Sequence, residues 1–368
     1  MPEAIGPELQ GLRRHAAEFA ALAATRLQRT DTAAVRTELS AAARSAGLFA
    51  MTQPREYGGT EAGPLALTVA RETLAAANNP LTRLAFGPGP GVLAGATGDI
   101  REQFLLPMLR GEKHAAFGFT EPRHALRHTW ARVDADTLVI NGEKAYVTGG
   151  AEADFINVSV EIDGTRAMVV VERAAPGVTV EEQFHSLEGG SHARITFRDV
   201  RVPRSHLIGA PGEGVPRAMR QIGDTRLLLA AEACGLMLWI DDFVARHLLA
   251  DHPSGEPLGK REGVRLRYAD LRIEAYTARS TLYRAARLAD SGANAVNEVM
   301  VAKVYCTEAL GRAVDTAIQL VGGRALDEGH PLSRLYRRVR SLRIAEGASD
   351  VLRLNIVRGR LDLNKGSL

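Results

Sequence analysis

The chain has 368 residues, of which 45% are hydrophobic and 24% are charged. This is an ordinary globular composition, with enough length for two or three domains. The 46 basic residues nearly balance the 43 acidic ones, giving a net charge of +3 that does not favour a nucleic-acid-binding protein. The sequence contains no run of 18 apolar residues and no signal-peptide pattern. We therefore predict a cytoplasmic protein that binds neither nucleic acid nor a membrane.

Residues 1–113 are predicted to form a helical domain. Apolar residues recur at helical spacing in residues 7–28, 32–50 and 63–79. A shorter helix is predicted in the segment IREQFLLPMLRGE, and we expect Pro107 and Gly111 to end it.

Residues 114–215 are predicted to form a β domain. Short β-branched runs are separated by Gly, Pro or Asp, and the clearest are FINVSVEI, RAMVVVER, VTVEEQF, ARITFRDVRV and HLIGA. In the segment LVINGEKAYVTGG, Asn141 and Gly142 lie between two β-rich runs and predict a hairpin turn.

Residues 216–368 are predicted to form a helical bundle. Four long amphipathic segments follow one another with short polar links, at 217–250, 261–292, 297–323 and 333–361. The two cysteines, Cys234 and Cys306, form no CxxC pair and no Cys/His cluster. The sequence therefore predicts neither a metal site nor a disulfide framework.

This domain order, together with five motifs, resembles the acyl-CoA dehydrogenase superfamily over nearly the whole chain. The motifs are REQFLLPMLRGEKHAAFGFTEP, LVINGEKAYVTGG, FRDVRVPRSHLIG, AIQLVGG followed by HPLSRLYRRVR, and IAEGASDVLRLNIVRG. Each alone is weak, but five in the family's order make coincidence improbable. The resemblance implies a short, divergent member with a mainly helical fold: an N-terminal helical domain, a middle β-barrel domain and a C-terminal four-helix bundle.

The resemblance implies an enzyme that removes two hydrogens across the Cα–Cβ bond of an acyl thioester. A carboxylate takes the α-proton, and the flavin of FAD takes the β-hydride. Glu346 matches the base, because it is the Glu of the family's EGT motif. Local sequence alone favours a helix-start carboxylate in a turn or capping role, whereas the motif order favours the base. Asp224 and Glu232 are the other candidates.

The resemblance also implies an FAD site. Phe117, Phe119 and Thr120 match flavin-contacting positions of the family. Tyr146 stands where the family usually has a Trp that packs on the flavin, and Thr148 matches a flavin-contacting Thr. The alternative for these residues, and for Tyr146 above all, is that they fill a β core.

Other matches concern a neighbouring subunit and the substrate. Gln319, Gly322 and Gly323 match a segment that approaches the FAD of the neighbouring subunit, where glycine permits close backbone approach. A helix C-cap would explain the glycines equally well. Arg226 matches an arginine near the substrate thioester, and its alternative is an exposed residue at a helix start.

The sequence departs from the family in the cofactor region. Asp251, Ser254 and Glu262 replace an Arg, a Phe and a Gln that reach the FAD pyrophosphate, and Ala348 replaces the Thr of EGT. A carboxylate in place of arginine repels phosphate, although basic residues within 260–265 can compensate. We therefore expect FAD to bind non-covalently and more weakly than is usual. Two alternatives stay open: a member without FAD that acts as an isomerase, dehydratase or lyase, and a non-catalytic partner subunit.

A basic loop bears on the substrate. After the TEP motif, Arg123, His124, Arg127 and His128 replace the family's small-residue loop. This loop suits an acidic acyl group, a CoA phosphate or the acidic surface of a carrier protein, unless it is merely solvated. Divergent members with such loops resemble the branch that acts on carrier-protein-bound acyl groups in biosynthesis. The resemblance further implies a homodimer or homotetramer, and it makes an electron-accepting flavoprotein a candidate partner.

Overall fold

The structure, a computed structural model, describes residues 5–26, 32–210, 212–364 and 366. The chain divides into two compact units. The helical unit comprises Met1–Met51, Thr60–Phe86 and Gly223–Leu368, and the sheet unit comprises Thr52–Gly59 and Gly87–Ile222. Within the described ranges, every helix is too short or too polar to span a bilayer.

The helical unit begins with three helices. Their bounds are α1 Pro7–Ala24, α2 Thr32–Ser45 and α3 Pro64–Ala75. Pro7 and Pro64 lie in first turns, where the N–H that proline lacks would have no helical partner. The apolar faces pack around Phe19, Leu39 and Leu74, which are buried. The three long helices predicted for this part of the chain are confirmed.

The sheet unit opens with two short helices. They are α4 Gly98–Ile100 and α5 Leu106–Arg110, and a π turn at Arg101–Leu105 joins them. Pro107 was wrongly predicted to end the helix, because it lies in the first turn of α5. The helix ends at Gly111, whose φ of 80° places it in the left-handed region.

Seven strands form one sheet in the sheet unit. They are β1 Ala115–Gly118, β2 Trp130–Asp134, β3 Thr137–Thr148, β4 Phe155–Ile162, β5 Thr165–Glu172, β6 Val178–His185 and β7 Ser191–Pro203. The order is β1-β4-β2-β3-β7-β6, and β5 pairs with β4. Its core contains Ile156, Val158, Val169 and Ile195, all fully buried. Four of the five predicted β runs are therefore strands, whereas HLIGA is not: Arg204–His206 is a 3₁₀ turn, and Leu207 makes a single bridge to Val169.

The hairpin predicted at Asn141 and Gly142 is wrong. Strand β3 runs through both residues, and the turn between β2 and β3 lies at residues 135–136. Gly142 instead marks a bulge, where an added Cβ would lie 2.6 Å from Cα of Thr129. Asn141 Nδ2 donates to Asp199 Oδ1 at 3.0 Å, and the Asp199 backbone N–H donates back to Asn141 Oδ1 at 2.9 Å.

The remaining helices complete the helical unit. They are α6 Gly214–Leu249, which belongs to this unit from Gly223 onward, α7 Glu262–Asp290, α8 Val296–Val321, α9 Pro331–Leu342 and α10 Ser349–Leu361. The last predicted segment, 333–361, is therefore two helices separated by residues 343–348. The bundle core is aliphatic, and it encloses Cys234 and Cys306 as free thiols with their Sγ atoms 3.7 Å apart.

A close approach joins α6 to α3. An added Cβ at Gly235 would lie 2.2 Å from the backbone oxygen of Glu72 and 2.7 Å from Cβ of Ala75. Only glycine permits this distance between the two helices, because any side chain at this position would overlap the backbone of α3.

A buried ion pair joins α3 to α7. Arg279 donates from Nε to Glu72 Oε1 at 2.6 Å and from Nη2 to Oε2 at 3.1 Å. The hydroxyl of Tyr283 donates to the same Oε2 at 2.7 Å. All three residues are buried, so the Glu72 charge is compensated where water cannot reach it.

Candidate active site

Glu346 lies in the loop between α9 and α10, and the backbone there is strained. Glu346 has a φ of 54° and Gly347 has a φ of 103°, so two consecutive residues adopt positive φ. A non-glycine residue in this region costs about 1–2 kcal/mol. Such strain persists only where surrounding contacts enforce it, and it concentrates at functional sites.

Two cationic side chains hold this loop. Arg226 on α6 donates from Nε to the backbone oxygen of Glu346 at 2.9 Å. Lys303 on α8 donates from Nζ to the backbone oxygen of Gly347 at 2.9 Å. Hydrogen bonds from charged donors are stronger than neutral ones, and here they fix two successive peptide groups.

The Glu346 carboxylate is half-buried and makes no hydrogen bond to any of the described residues. Burial raises its pKa above the usual value, and the charges of Arg226 and Lys303 oppose that rise. The structure does not support the capping alternative, because the N-cap of α10 is Ala348 and no side chain caps that helix. A carboxylate of raised pKa with free oxygens is suited to accept a proton.

The alternative carboxylates are less suited to this role. Glu232 forms an ion pair with Arg338, which occupies its Oε1. Asp224 interacts electrostatically with Arg71. Burial lowers the pKa of Arg71 to about 10, and the negative charge of Asp224 opposes that change. Of the three, Glu346 is the one whose carboxylate makes no hydrogen bond and no ion pair with any described residue.

In the sheet unit, the residues predicted to contact flavin fall in two places. Phe117 and Phe119 stack with ring centroids 5.5 Å apart and planes 8° apart, and they pack against a buried apolar cluster. Thr120 is exposed, and its backbone oxygen accepts from the N–H of Ala145 on β3 at 2.9 Å. This bond places the Thr120 segment beside the strand that carries Tyr146.

Tyr146 is exposed rather than part of the core. It has a φ of 54°, at an irregularity in the pairing of β3 with β7, and 67% of its surface is exposed. Its ring meets that of Phe184 edge-on, at 5.7 Å between centroids. Thr148 Oγ1 lies 3.2 Å from Nδ1 of His192, whose ring stacks on Phe184. Phe184 and His192 were not among the predicted site residues, although strand register brings them beside Thr148.

These features fit a flavin. An exposed aromatic ring held in a strained backbone offers a planar surface, and the exposed Thr120 and Thr148 offer hydroxyl groups to a polar ring edge. Tyr146 as a core-filling residue is contradicted by its exposure.

The second predicted cofactor segment lies at the end of α8. Gln319 is exposed, and Gly322 adopts φ 81° and ψ −161°, a conformation essentially restricted to glycine. An added Cβ at Gly322 or at Gly323 would meet no atom within 4 Å. The backbone angle therefore explains Gly322, whereas sterics within the chain do not require glycine at position 323.

Three of the four residues that depart from the family lie on the surface of the helical unit, and the fourth, Ala348, is half-buried before α10. Asp251 and Ser254 are exposed, and Ser254 Oγ accepts from Arg261 Nη2 at 2.7 Å. Glu262 begins α7 and is exposed. Asp251 makes no ion pair with any of the described residues.

The basic loop after the TEP motif is anchored at its base and open at its tip. Buried Lys144 and the hydroxyl of Thr129 both donate to the carboxylate of Glu121. At the tip, the guanidinium of Arg127 lies 4.6 Å from the centre of the Trp130 ring. The loop side chains Arg123, His124, Leu126, Arg127 and His128 are all exposed.

Comparison with known proteins identifies the class. The acyl-CoA dehydrogenase N-terminal domain matches residues 6–112, the middle domain matches 116–200 and the C-terminal domain matches 212–361. The chain is 30% identical to the short-chain specific acyl-CoA dehydrogenase of rat mitochondria over 336 residues, which cover 86% of this chain and 80% of that protein. It is 29% identical to a 3-(aryl)acrylate reductase of Clostridium sporogenes, over 84% of this chain and 86% of that protein.

Solved structures agree on the fold. Butyryl-CoA dehydrogenase from Megasphaera elsdenii superposes with a TM-score of 0.82 at 24% identity, over 98% of this chain and 100% of that one. The FAD complex of PigA superposes with a TM-score of 0.84 at 22% identity, over 99% of this chain and 100% of that one. The chain therefore belongs to the acyl-CoA dehydrogenase family, and the predicted family and fold class are confirmed. The boundaries at 113/114 and 215/216 remain predictions.

Proposed function

We propose that this protein catalyses the FAD-dependent α,β-dehydrogenation of an acyl thioester, with Glu346 as the base. The observation that carries the proposal is the Glu346 carboxylate: it is half-buried, free of hydrogen bonds to the described residues, and held in a strained loop by two cations. Membership of the acyl-CoA dehydrogenase family supports the reaction class.

Each protein group has a task that follows from its chemistry. The α-proton of a thioester is weakly acidic, so the base must be strong and poorly solvated. Burial of Glu346 weakens its solvation and raises its pKa, which strengthens it as a base. The charges of Arg226 and Lys303 oppose that rise in pKa and so favour the ionised form of the carboxylate.

Within the sheet unit, the residues that would contact the flavin are Phe117, Phe119, Thr120, Tyr146 and Thr148. Gln319, Gly322 and Gly323 of the helical unit would instead approach the FAD of a neighbouring subunit. When bound, FAD supplies a two-electron acceptor for the β-hydride. Asp251, an exposed carboxylate without an ion pair where the family has an arginine, supports FAD binding that is weaker than is usual for this family.

The substrate is proposed to be a small acyl group on CoA or on a carrier protein. The short-chain specific relatives favour the first, and the exposed basic loop at residues 123–128 is compatible with both carriers. Butyryl-CoA and butyryl-carrier protein should therefore be compared with the wild type and with R123E/R127E. A carrier-protein substrate predicts that kcat/KM falls about tenfold or more in the variant for that carrier only.

We also propose that the chain assembles as a homodimer or homotetramer. Exposed apolar side chains on α7 and α10 support this, because such surfaces mark contacts with other proteins. They are Leu266, Ile273, Tyr276, Val351, Leu354, Val357 and Leu361. Light scattering of the FAD-loaded protein at micromolar concentration should give a dimer or tetramer, and a monomer would contradict this proposal.

A second candidate function is proton chemistry without a redox change. One observation favours it: Asp251 puts a carboxylate where the family has an arginine that reaches the FAD pyrophosphate. The spectrum of the purified protein separates the two functions, since bound oxidised flavin absorbs at about 450 nm. After incubation with FAD and gel filtration, we expect this band, and we expect anaerobic butyryl-, hexanoyl- or octanoyl-CoA to bleach it. Protein that stays colourless in excess FAD would exclude the dehydrogenase and leave the second function.

A further inference from the structure

Lys303 on α8 is a buried lysine whose ammonium group is not in direct contact with a described carboxylate. None of its surface is exposed, although lysine is among the residues least often buried. It makes no ion pair within the part of the chain that the structure describes. Burying an ammonium group without a counter-ion costs several kcal/mol, so its retention calls for a specific contact.

That contact is the loop carrying the proposed base. The Lys303 ammonium donates to the backbone oxygen of Gly347 at 2.9 Å, one peptide beyond the oxygen that Arg226 holds. The guanidinium of Arg226 also lies close to Gly347, since an added Cβ there would be 3.4 Å from Nη2. The loop is thus held from α6 and from α8 at the two successive peptide groups that follow Cα of Glu346.

We propose that Lys303 is a positioning residue for Glu346: its buried ammonium holds the Gly347 carbonyl, keeps Glu346 in the left-handed conformation and supplies a fixed positive charge to the carboxylate. The proposal rests on the proposed function of Glu346. A neutral side chain could donate a hydrogen bond to the Gly347 carbonyl at a lower desolvation cost than an ammonium group. The hydrogen bond alone therefore does not explain why a positively charged residue is buried at position 303.

The surrounding charges are consistent with this role. Burial, together with the charge of Arg226 on α6, lowers the Lys303 pKa to about 8, although Glu346 in the loop and Glu308 on α8 oppose the change. Lys303 is therefore mostly charged at neutral pH and below. In return, its charge opposes the rise that burial causes in the Glu346 pKa.

The test is K303M, which keeps the length of the side chain and removes both charge and donor. T307V is the matched control, because Thr307 lies one turn further along α8, is equally buried and donates only to backbone oxygens of its own helix. K303Q keeps a donor without the charge. The pH profile of kcat/KM is measured for each with FAD-loaded protein, ferrocenium as electron acceptor and the fastest of butyryl-, hexanoyl- and octanoyl-CoA.

We expect kcat to fall roughly 10- to 100-fold in K303M with little change in KM, as for a displaced catalytic group. The acid limb of kcat/KM should move up by roughly 0.5–1 pH unit in K303M and in K303Q, because a positive charge near the base is lost. T307V should keep the wild-type limb. A limb that stays in place in both Lys303 variants would overturn the proposal, whatever the loss of rate, because a merely structural role does not move it.

Two further outcomes are informative. If K303M does not fold, K303Q alone decides, and an unmoved limb overturns the proposal. E346Q is measured in parallel, and full activity in E346Q would refute the proposed base. If E346Q is inactive while K303M keeps the wild-type rate and the wild-type acid limb of kcat/KM, only the role of Lys303 is refuted.

Discussion

The buried ion pair between α3 and α7 gives the sharpest stability prediction. R279M removes two of the three hydrogen bonds to the Glu72 carboxylate and leaves only that from Tyr283. The Arg279 and Glu72 side chains are 9% and 4% exposed, so water cannot replace the lost donors. Breaking such a pair from one side costs about 3–5 kcal/mol, because it strands a buried charge.

Urea unfolding followed by circular dichroism at pH 7 measures this cost. The matched control is R312M, which breaks an ion pair of equal geometry between α8 and α7: Arg312 Nε lies 2.7 Å from Glu274 Oε1, but that arginine is 51% exposed. The control should lose no more than about 1 kcal/mol. The triple variant E72L/R279M/Y283F should be more stable than R279M, since it strands no charge. An R279M that loses less than the control would refute the reasoning.

Three further variants test the loop and the helix contacts. The Lys303 pKa is about 8 in the folded protein and 10.5 in an ordinary lysine, so the unfolded chain binds more protons between these pH values. The free energy of unfolding of the wild type, relative to that of K303M, should therefore rise by up to about 3 kcal/mol between pH 8 and pH 10.5. Urea unfolding at each pH measures this difference. G347A should lower Tm and activity, because its Cβ would lie 3.0 Å from Leu352 Cδ2 at a φ of 103°, a strain of about 1–3 kcal/mol; unchanged Tm and rate would contradict this. G235A should lose at least about 1–3 kcal/mol in the same urea assay, because α6 and α3 must move apart, and a loss below 0.5 kcal/mol would show that they do not touch.

Much of the fold could be predicted because its signals are local. The helical period marks α6, α7 and α8 almost to their ends, and the β-branched run FINVSVEI coincides with β4. The signal at Asn141 and Gly142 was misleading, since the same dipeptide that favours a turn also suits a bulge. The bulge is required by the backbone of Thr129, which approaches Gly142 closely. Thr129 lies outside the Asn-Gly segment, so the local sequence does not indicate this contact.

The candidate site could be predicted only in part. The order of the motifs identified Glu346, whereas its local sequence favoured a helix-capping role. In the structure the N-cap of α10 is Ala348, which makes no side-chain capping bond. Lys303 was missed, because nothing in a helical segment marks a lysine whose partner is a backbone carbonyl 44 residues away. The break between α9 and α10 was missed as well, since amphipathic spacing continues across it and only the strained backbone of residues 346–347 interrupts the helix.

The central claim is that Glu346 removes the α-proton, and E346Q tests it most directly. Glutamine keeps the size of the side chain but cannot accept the proton, so the rate of flavin bleaching by the acyl-CoA in stopped flow should fall by roughly 10²–10⁴-fold. Flavin content and Tm should stay close to the wild type, because the Glu346 carboxylate makes no hydrogen bond to the described residues that the variant would break. A bleaching rate per bound flavin near that of the wild type would contradict the claim and remove Glu346 from its role.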